Sequence, residues 1–212
     1  MIENIIPKIL TDDLEKVKEQ VNQVKGLVRR VQVGVVDGVY VDNLTVAPAD
    51  LSEVDFGEFE VEVHLMVEYP GDLLGDCYAG GARLVVGQIE RMGGQGSFVE
   101  QAQELGLRVK LAIDLFTPAE EVGVELWNKV DGVLLMSVRA GFQGQKFDKQ
   151  VVEKIKKLRN GGFGGEIEVD GGLNPENITM CKQAGANKFV VGSYLWKSKN
   201  IDEALEELRK VS

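Results

Sequence analysis

The chain has 212 residues, 44% of them hydrophobic, which is enough for one substantial core, and residues 1–212 read as a single domain. Its formal net charge of −10 argues against nucleic acid and anionic membrane as partners, so an anionic ligand needs a local cation or a concavity of backbone N–H groups. No apolar run reaches membrane length, the opening MIENIIPKIL lacks the order of a signal peptide, and Cys77 and Cys181 fit neither a metal knuckle nor a redox pair. A soluble cytoplasmic protein with two buried thiols is expected.

Eight short β-branched runs follow one another: IIPKIL (5–10), RVQVGVV (30–36), EVEVHLMV (60–67), ARLVVGQIE (82–90), RVKLAID (108–114), GVLLMSV (132–138), EIEVDG (166–171) and NKFVVGS (187–193). They recur about every 25 residues, the step of a β-loop-α-loop unit. Between them lie amphipathic patterns. DKQVVEKIKKL places Val151, Val152, Ile155 and Leu158 on one helical face, and NIDEALEELRKV does the same with Ile201, Ala204, Leu205, Leu208 and Val211. Asn174, with Pro175 after it, and Asn200 are the expected N-caps. Eight such units predict an α/β fold, a single (β/α)8 TIM barrel, with a doubly wound open sheet as the alternative.

In such a barrel the active site lies at the C-terminal ends of the strands. Every second residue near those ends gives a predicted pocket of Lys8, Leu10, Gln32, Gly34, His64, Met66, Gln88, Glu90, Asp114, Met136 and Asp170. Three glycine-rich stretches follow the last three strands: AGFQGQKF (140–147), VDGGLNP (169–175) and VGSYLW (191–196). Glycine lets the backbone approach a ligand closely, and successive N–H groups form an anion-binding concavity. A phosphate is expected there; the alternative is that these glycines only permit tight turns.

The runs HLMVEYP (64–70), LLMSVRAGFQGQKF (134–147), EIEVDGGLNPENI (166–178) and VVGSYLW (190–196) resemble the ribulose-phosphate 3-epimerase family. Weaker matches at IIPKILTDD (5–13), VVDGVYVDNLT (35–45) and FTP (116–118) keep the same order, so the resemblance spans essentially the whole chain. It implies a TIM barrel that interconverts ribulose 5-phosphate and xylulose 5-phosphate by moving the C3 proton. Two aspartates on opposite faces of the sugar act as acid and base, and a divalent metal, often zinc or iron, stabilises the enediolate.

By that resemblance the family pattern H-V-D-V-M-D-G falls on residues 32–38. Gln32 stands for a metal-binding histidine, Gly34 for the aspartate that is both ligand and acid/base, and Val36 for a methionine packing on the substrate. His64 and Asp170 match the remaining ligands, Asp170 also the other acid/base, and Met66 and Met136 match substrate contacts. With one imidazole, one carboxylate and an amide left, the expectation is no cofactor or a weakly bound divalent metal. The phosphate loop G-F-G-G-Q falls on Gly141, Phe142, Gln143, Gly144 and Gln145, with Gln143 replacing a glycine and narrowing the loop. Gly171-Gly172 and Gly192-Ser193 match outright, so phosphate binding is the property expected to be inherited.

Lys8 replaces a serine that contacts substrate in the family. Three roles are open to it: a counter-ion replacing the metal's charge, an electrophile or Schiff-base amine, or a side chain that snorkels outward. His64, the single histidine, is either a remnant ligand and proton carrier or an imidazole hydrogen-bonded in a polar pocket, and Glu90 and Asp114 are candidates for a second acid/base. Two functions follow. One is an epimerase-type enzyme using Asp170 and Lys8 on a pentulose 5-phosphate or related sugar phosphate; the other is a non-catalytic sugar-phosphate-binding or regulatory homologue. Either takes a small-molecule sugar phosphate as its partner, and a homo-oligomer stays open.

Overall fold

The computed structural model describes residues 4–212. Eight strands, β1 (Ile5–Ile9), β2 (Arg30–Val36), β3 (Glu60–Met66), β4 (Leu84–Gln88), β5 (Arg108–Ile113), β6 (Gly132–Met136), β7 (Glu166–Asp170) and β8 (Lys188–Val191), lie within the eight predicted runs. Each pairs in parallel with the next and β8 pairs with β1, so the sheet is a closed barrel rather than an open one. The register sets Lys8 beside Gln32, Gly34 beside His64, and Met136 beside Asp170.

Alternation along the strands divides the residues between two environments. Outward-facing side chains such as Val33, Val63, Leu111, Val133 and Val169 join the main core under the helices. Inward-facing ones include a smaller apolar cluster of Val36, Met66, Leu84, Val86, Ala112, Leu134 and Met136, next to buried Lys8, Gln32, Glu62, His64, Lys110, Glu168 and Asp170. The core is therefore apolar outside the barrel wall and partly ionic within it.

The helices are α1 (Leu14–Gln23), α2 (Leu74–Ala79), α3 (Gln95–Glu104), α4 (Gln150–Asn160), α5 (Pro175–Ala184), α6 (Ser193–Trp196) and α7 (Ile201–Val211). Asn174 Oδ1 accepts from the N–H of Asn177, and Asn200 Oδ1 from those of Asp202 and Glu203, as the capping expectation required. α4 buries Val151, Ile155 and Leu158 and α7 buries Ala204, Leu205 and Leu208, while Val152, Ile201 and Val211 are partly buried at the edges.

Two βα units depart from the regular pattern. After β2 the chain forms a short 3-10 helix, Pro48–Glu53, and after β5 it forms two, Ala119–Glu121 and Val124–Leu126. Pro118 and Gly123 interrupt any helical run after β5. Cys77 and Cys181 are buried free thiols, and burial pushes both up to about 12. No helix among the described residues is long and apolar enough to cross a membrane.

Candidate functional site

Lys8 enters the barrel from β1 and its Nζ meets three acceptors. It donates to Asp170 Oδ2 at 2.9 Å, to His64 Nδ1 at 3.1 Å, and to Gln32 Oε1. An ammonium has three N–H donors, so these partners use all of them. All four side chains are buried. The counter-ion geometry anticipated for Lys8 is thus present, and the outward-snorkelling alternative is excluded by its burial.

Each partner is itself oriented. Gln32 Nε2 donates to Glu62 Oε1 at 2.5 Å and to Glu168 Oε1 at 2.9 Å, which turns its oxygen toward Lys8. Burial, and then the charge of Lys8, lower His64 to about 4, so the imidazole is neutral near pH 7. With Nδ1 accepting from Lys8, Nε2 carries the proton. Gln88 lies 3.1 Å from that Nε2, and rotating its amide by half a turn gives the N–H an acceptor in Oε1, which otherwise has no partner. Burial would raise the carboxyl of Asp170, but the Lys8 ammonium outweighs it and holds the group below the usual carboxylate range.

Gly34 is part of the same packing. A Cβ there would stand 2.6 Å from Leu10 Cδ1, 2.9 Å from Lys8 Cε and 3.0 Å from Met66 Cε. The stem of Lys8 occupies space that a larger residue 34 would need.

Beneath this cluster lies an ionic layer that the search near strand ends missed. Lys110 Nζ bonds Glu62 at 3.0 Å and Glu168 at 2.5 Å and pairs with Glu166 at 3.0 Å, and Arg30 pairs with Glu166 at 3.1 Å. Burial would raise Glu62, yet Lys110 takes it down to about 2; burial and the charge of Glu62 push Glu168 up to about 8. One proton is therefore shared by the two carboxyls near neutrality. The signal was in the sequence: Arg30-Gln32, Glu60-Glu62-His64, Arg108-Lys110 and Glu166-Glu168-Asp170 are polar at every second residue.

A cavity opens above Lys8 and Asp170, walled by Leu10, Met66, Met136, Val138 and Val190. Its rim is Gly141, Phe142, Gln143, Gly144 and Gln145 after β6, Gly171 and Gly172 after β7, and Gly192 and Ser193 after β8. Gly171 and Gly172 have φ of +117° and +58°, and a Cβ on Gly172 would lie 2.5 Å from the backbone nitrogen of Phe147, so this close approach requires glycine. The side chain of Gln143 reaches across the rim to β1. Its Nε2 donates to the Lys8 carbonyl at 3.3 Å and would stand 2.9 Å from a Cβ on Gly192. Trp196 Nε1 donates to the same carbonyl at 2.6 Å and ties α6 to β1.

Lys8, Leu10, Met66, Met136 and Asp170 thus share one cavity with the glycine-rich loops, but six residues expected in the pocket do not wall it: Gln32, Gly34, His64, Gln88, Glu90 and Asp114. Gln32 and His64 sit behind Lys8, fully buried. Glu90 Oε1 accepts the Asp114 N–H at 2.8 Å, and Asp114 Oδ1 accepts those of Leu115 and Ala140, so both carboxylates tie loops together. Among the described residues no group of three or more His, Cys, Asp or Glu side chains is placed to hold a metal.

The model of the ribulose-phosphate 3 epimerase family matches residues 4–196. Ribulose-phosphate 3-epimerase of Escherichia coli K12 is 34% identical over 221 residues, covering 98% of this chain and 97% of that protein. The cytoplasmic isoform from Oryza sativa subsp. japonica is 33% identical, covering 97% of this chain and 92% of its own, and the Bacillus subtilis enzyme is 30% identical with 97% of each covered. Among solved structures, 3-hexulose-6-phosphate synthase superposes with a TM-score of 0.72 at 16% identity, covering 99% of each chain. KGPDC from Streptococcus mutans does so with 0.75 at 13%, covering 98% of each; at these identities the likeness is one of fold. Matched along nearly its whole length, this chain belongs to the ribulose-phosphate 3-epimerase family.

Proposed function

We propose that this protein binds a pentulose 5-phosphate or a related sugar phosphate and moves the proton at C3 from one face of the sugar. The carrying observation is a single cavity that runs from the glycine rim to the Lys8–Asp170 pair. The phosphate sits on the backbone of the loops after β6, β7 and β8, and the sugar lies between Met66 and Met136. Asp170 takes the C3 proton, the electron pair moves onto the C2 oxygen, and Lys8 is the nearest cation to the charge that develops there. Return of the proton to the same face regenerates the starting sugar. Epimerisation needs a donor on the opposite face, where Gly34 has no side chain.

One observation favours a second reading, a non-catalytic sugar-phosphate-binding homologue. The three donors of Lys8 are already used by protein acceptors, and Asp170, held low by that ammonium, is a weak base. NMR of ribulose 5-phosphate in deuterium oxide separates the two readings. Deuterium entering C3 faster than xylulose 5-phosphate forms supports one-faced proton transfer. Saturable binding, competed by inorganic phosphate, with neither exchange nor epimer supports the second; no binding at all removes both.

A further inference from the structure

We infer that Lys8 is a tethered cation that keeps a divalent metal out of this site. The metal implied for the family does not fit the residues present. A metal held by His64 and Asp170 would have the Lys8 ammonium, 3.1 and 2.9 Å from those two groups, as its immediate neighbour in a buried setting. Like charges repel strongly where water cannot screen them. Nor do positions 32 and 34 supply a third side-chain ligand: the oxygen of Gln32 is bonded to Lys8, its nitrogen is bonded to Glu62 and Glu168, and Gly34 has no side chain.

The lysine and the glycine form one replacement. The stem of Lys8 fits because residue 34 has no Cβ, which would meet Lys8 Cε at 2.9 Å. Charge is conserved by the exchange. A divalent cation with an aspartate at position 34 carries one net positive charge, and an ammonium with a glycine there carries the same. Gln32 in place of a histidine leaves a neutral group, so Asp170 faces an unchanged total. The binding chemistry nevertheless differs. A metal has open positions for ligand oxygens, whereas a ligand oxygen reaches this ammonium only by displacing Gln32, His64 or Asp170.

The inference goes beyond the sugar-phosphate reading and is tested apart from it. Protein purified without chelator is assayed for metals by mass spectrometry and titrated with zinc and manganese(II) by calorimetry. Metal well below one equivalent and no saturable binding are expected, and one tightly held equivalent would overturn the inference. In the variant carrying Gln32→His and Gly34→Asp the new Cβ crowds the flexible Lys8 stem, but the ammonium stays tethered within the barrel, so the variant should still bind no zinc; addition of Lys8→Ser should bring one saturable site. Zinc binding by the double variant equal to that of the triple would overturn the role of Lys8, as would a folded triple variant that binds none. If the triple variant does not fold, by circular dichroism, the native titration decides. Ribulose 5-phosphate binding is measured on the same native samples. A chain that holds metal and binds the sugar loses this inference alone, whereas a metal-free chain that ignores the sugar loses the functional reading alone.

Discussion

Around β6 and β7 the rim of the cavity is held by glycines at positive φ and after β8 by Gly192 and Ser193, whereas around β1, β2 and β3 the site is built from buried polar side chains that bond one another. The first region depends on the local conformation of each loop. The second depends on mutual pairing: Lys8 needs Asp170, Gln32 needs Glu62 and Glu168, and Gly34 must stay small for Lys8 to fit. A glycine cradle can be kept position by position, because a positive φ makes its demand at each position separately, as at Gly171 and Gly172. A coupled cluster has to change as a set, because Lys8, Gln32 and Gly34 constrain one another.

The sharpest break in this comparison is Lys8→Met. Truncating one partner of a buried pair leaves the other charge uncompensated and costs about 3–5 kcal/mol. Asp170 is the group left behind, only 7% exposed. Denaturant unfolding should show that loss, and adding Asp170→Asn to the same chain should recover most of it. A cost under about 1 kcal/mol for Lys8→Met, in the range of an exposed pair, would show that the cluster is not coupled.

The polar region also sets how stability varies with pH, while the glycine rim contributes no titrating group. His64 falls from 6.5 to about 4, so below pH 6.5 the unfolded chain takes up a proton that the folded one refuses, and stability drops as pH falls toward 4. Glu168 rises from 4.5 to about 8, so the folded chain keeps a proton that the unfolded one releases, and stability drops as pH rises from 4.5 toward 8. Between 4.5 and 6.5 the two slopes cancel. Glu62, lowered from 4.5 to about 2, steepens the loss on the acid side. Melting temperature should therefore be flat from about pH 4.5 to 6.5 and fall on both sides, each slope being about 1.4 kcal/mol per pH unit per proton. A maximum at pH 8 would show that Glu62 and Glu168 share no proton.

The same contrast explains what was legible in the sequence. Strands were, because period-two runs of Val, Ile and Leu bounded by turn residues have few other solutions, and the rim glycines after β6 and β7 were, because positive φ selects a residue type. Lys8 was legible as a charge needing a partner, though the sequence left three roles open and only packing shows all its donors used. Lys110, Glu62 and Glu168 were missed because a reading confined to strand ends passes over residues two positions deeper. Glu90 and Asp114 have the right chemistry for acid and base, but which way a side chain points where a strand ends is decided by the loop, and here each serves loop N–H groups.

Gln143 is where the two regions meet, since it springs from the rim and its amide reaches the carbonyl of Lys8. Its replacement is the smallest of these perturbations and the most informative about the rim. The hydrogen bond it would lose is long, 3.3 Å, and that carbonyl keeps the Trp196 Nε1 donor at 2.6 Å. Gln143→Gly should then change stability by only about 0.5–1 kcal/mol, mostly through added backbone freedom. Its effect on binding has the opposite sign. The side chain lies against Gly192 on the rim proposed to hold the phosphate, and removing it should tighten inorganic phosphate or ribulose 5-phosphate by about 1 kcal/mol, roughly fivefold, in calorimetry. Weaker binding in this variant would mean that the Gln143 amide is itself a donor to the anion, and the cradle would then be part side chain rather than backbone alone.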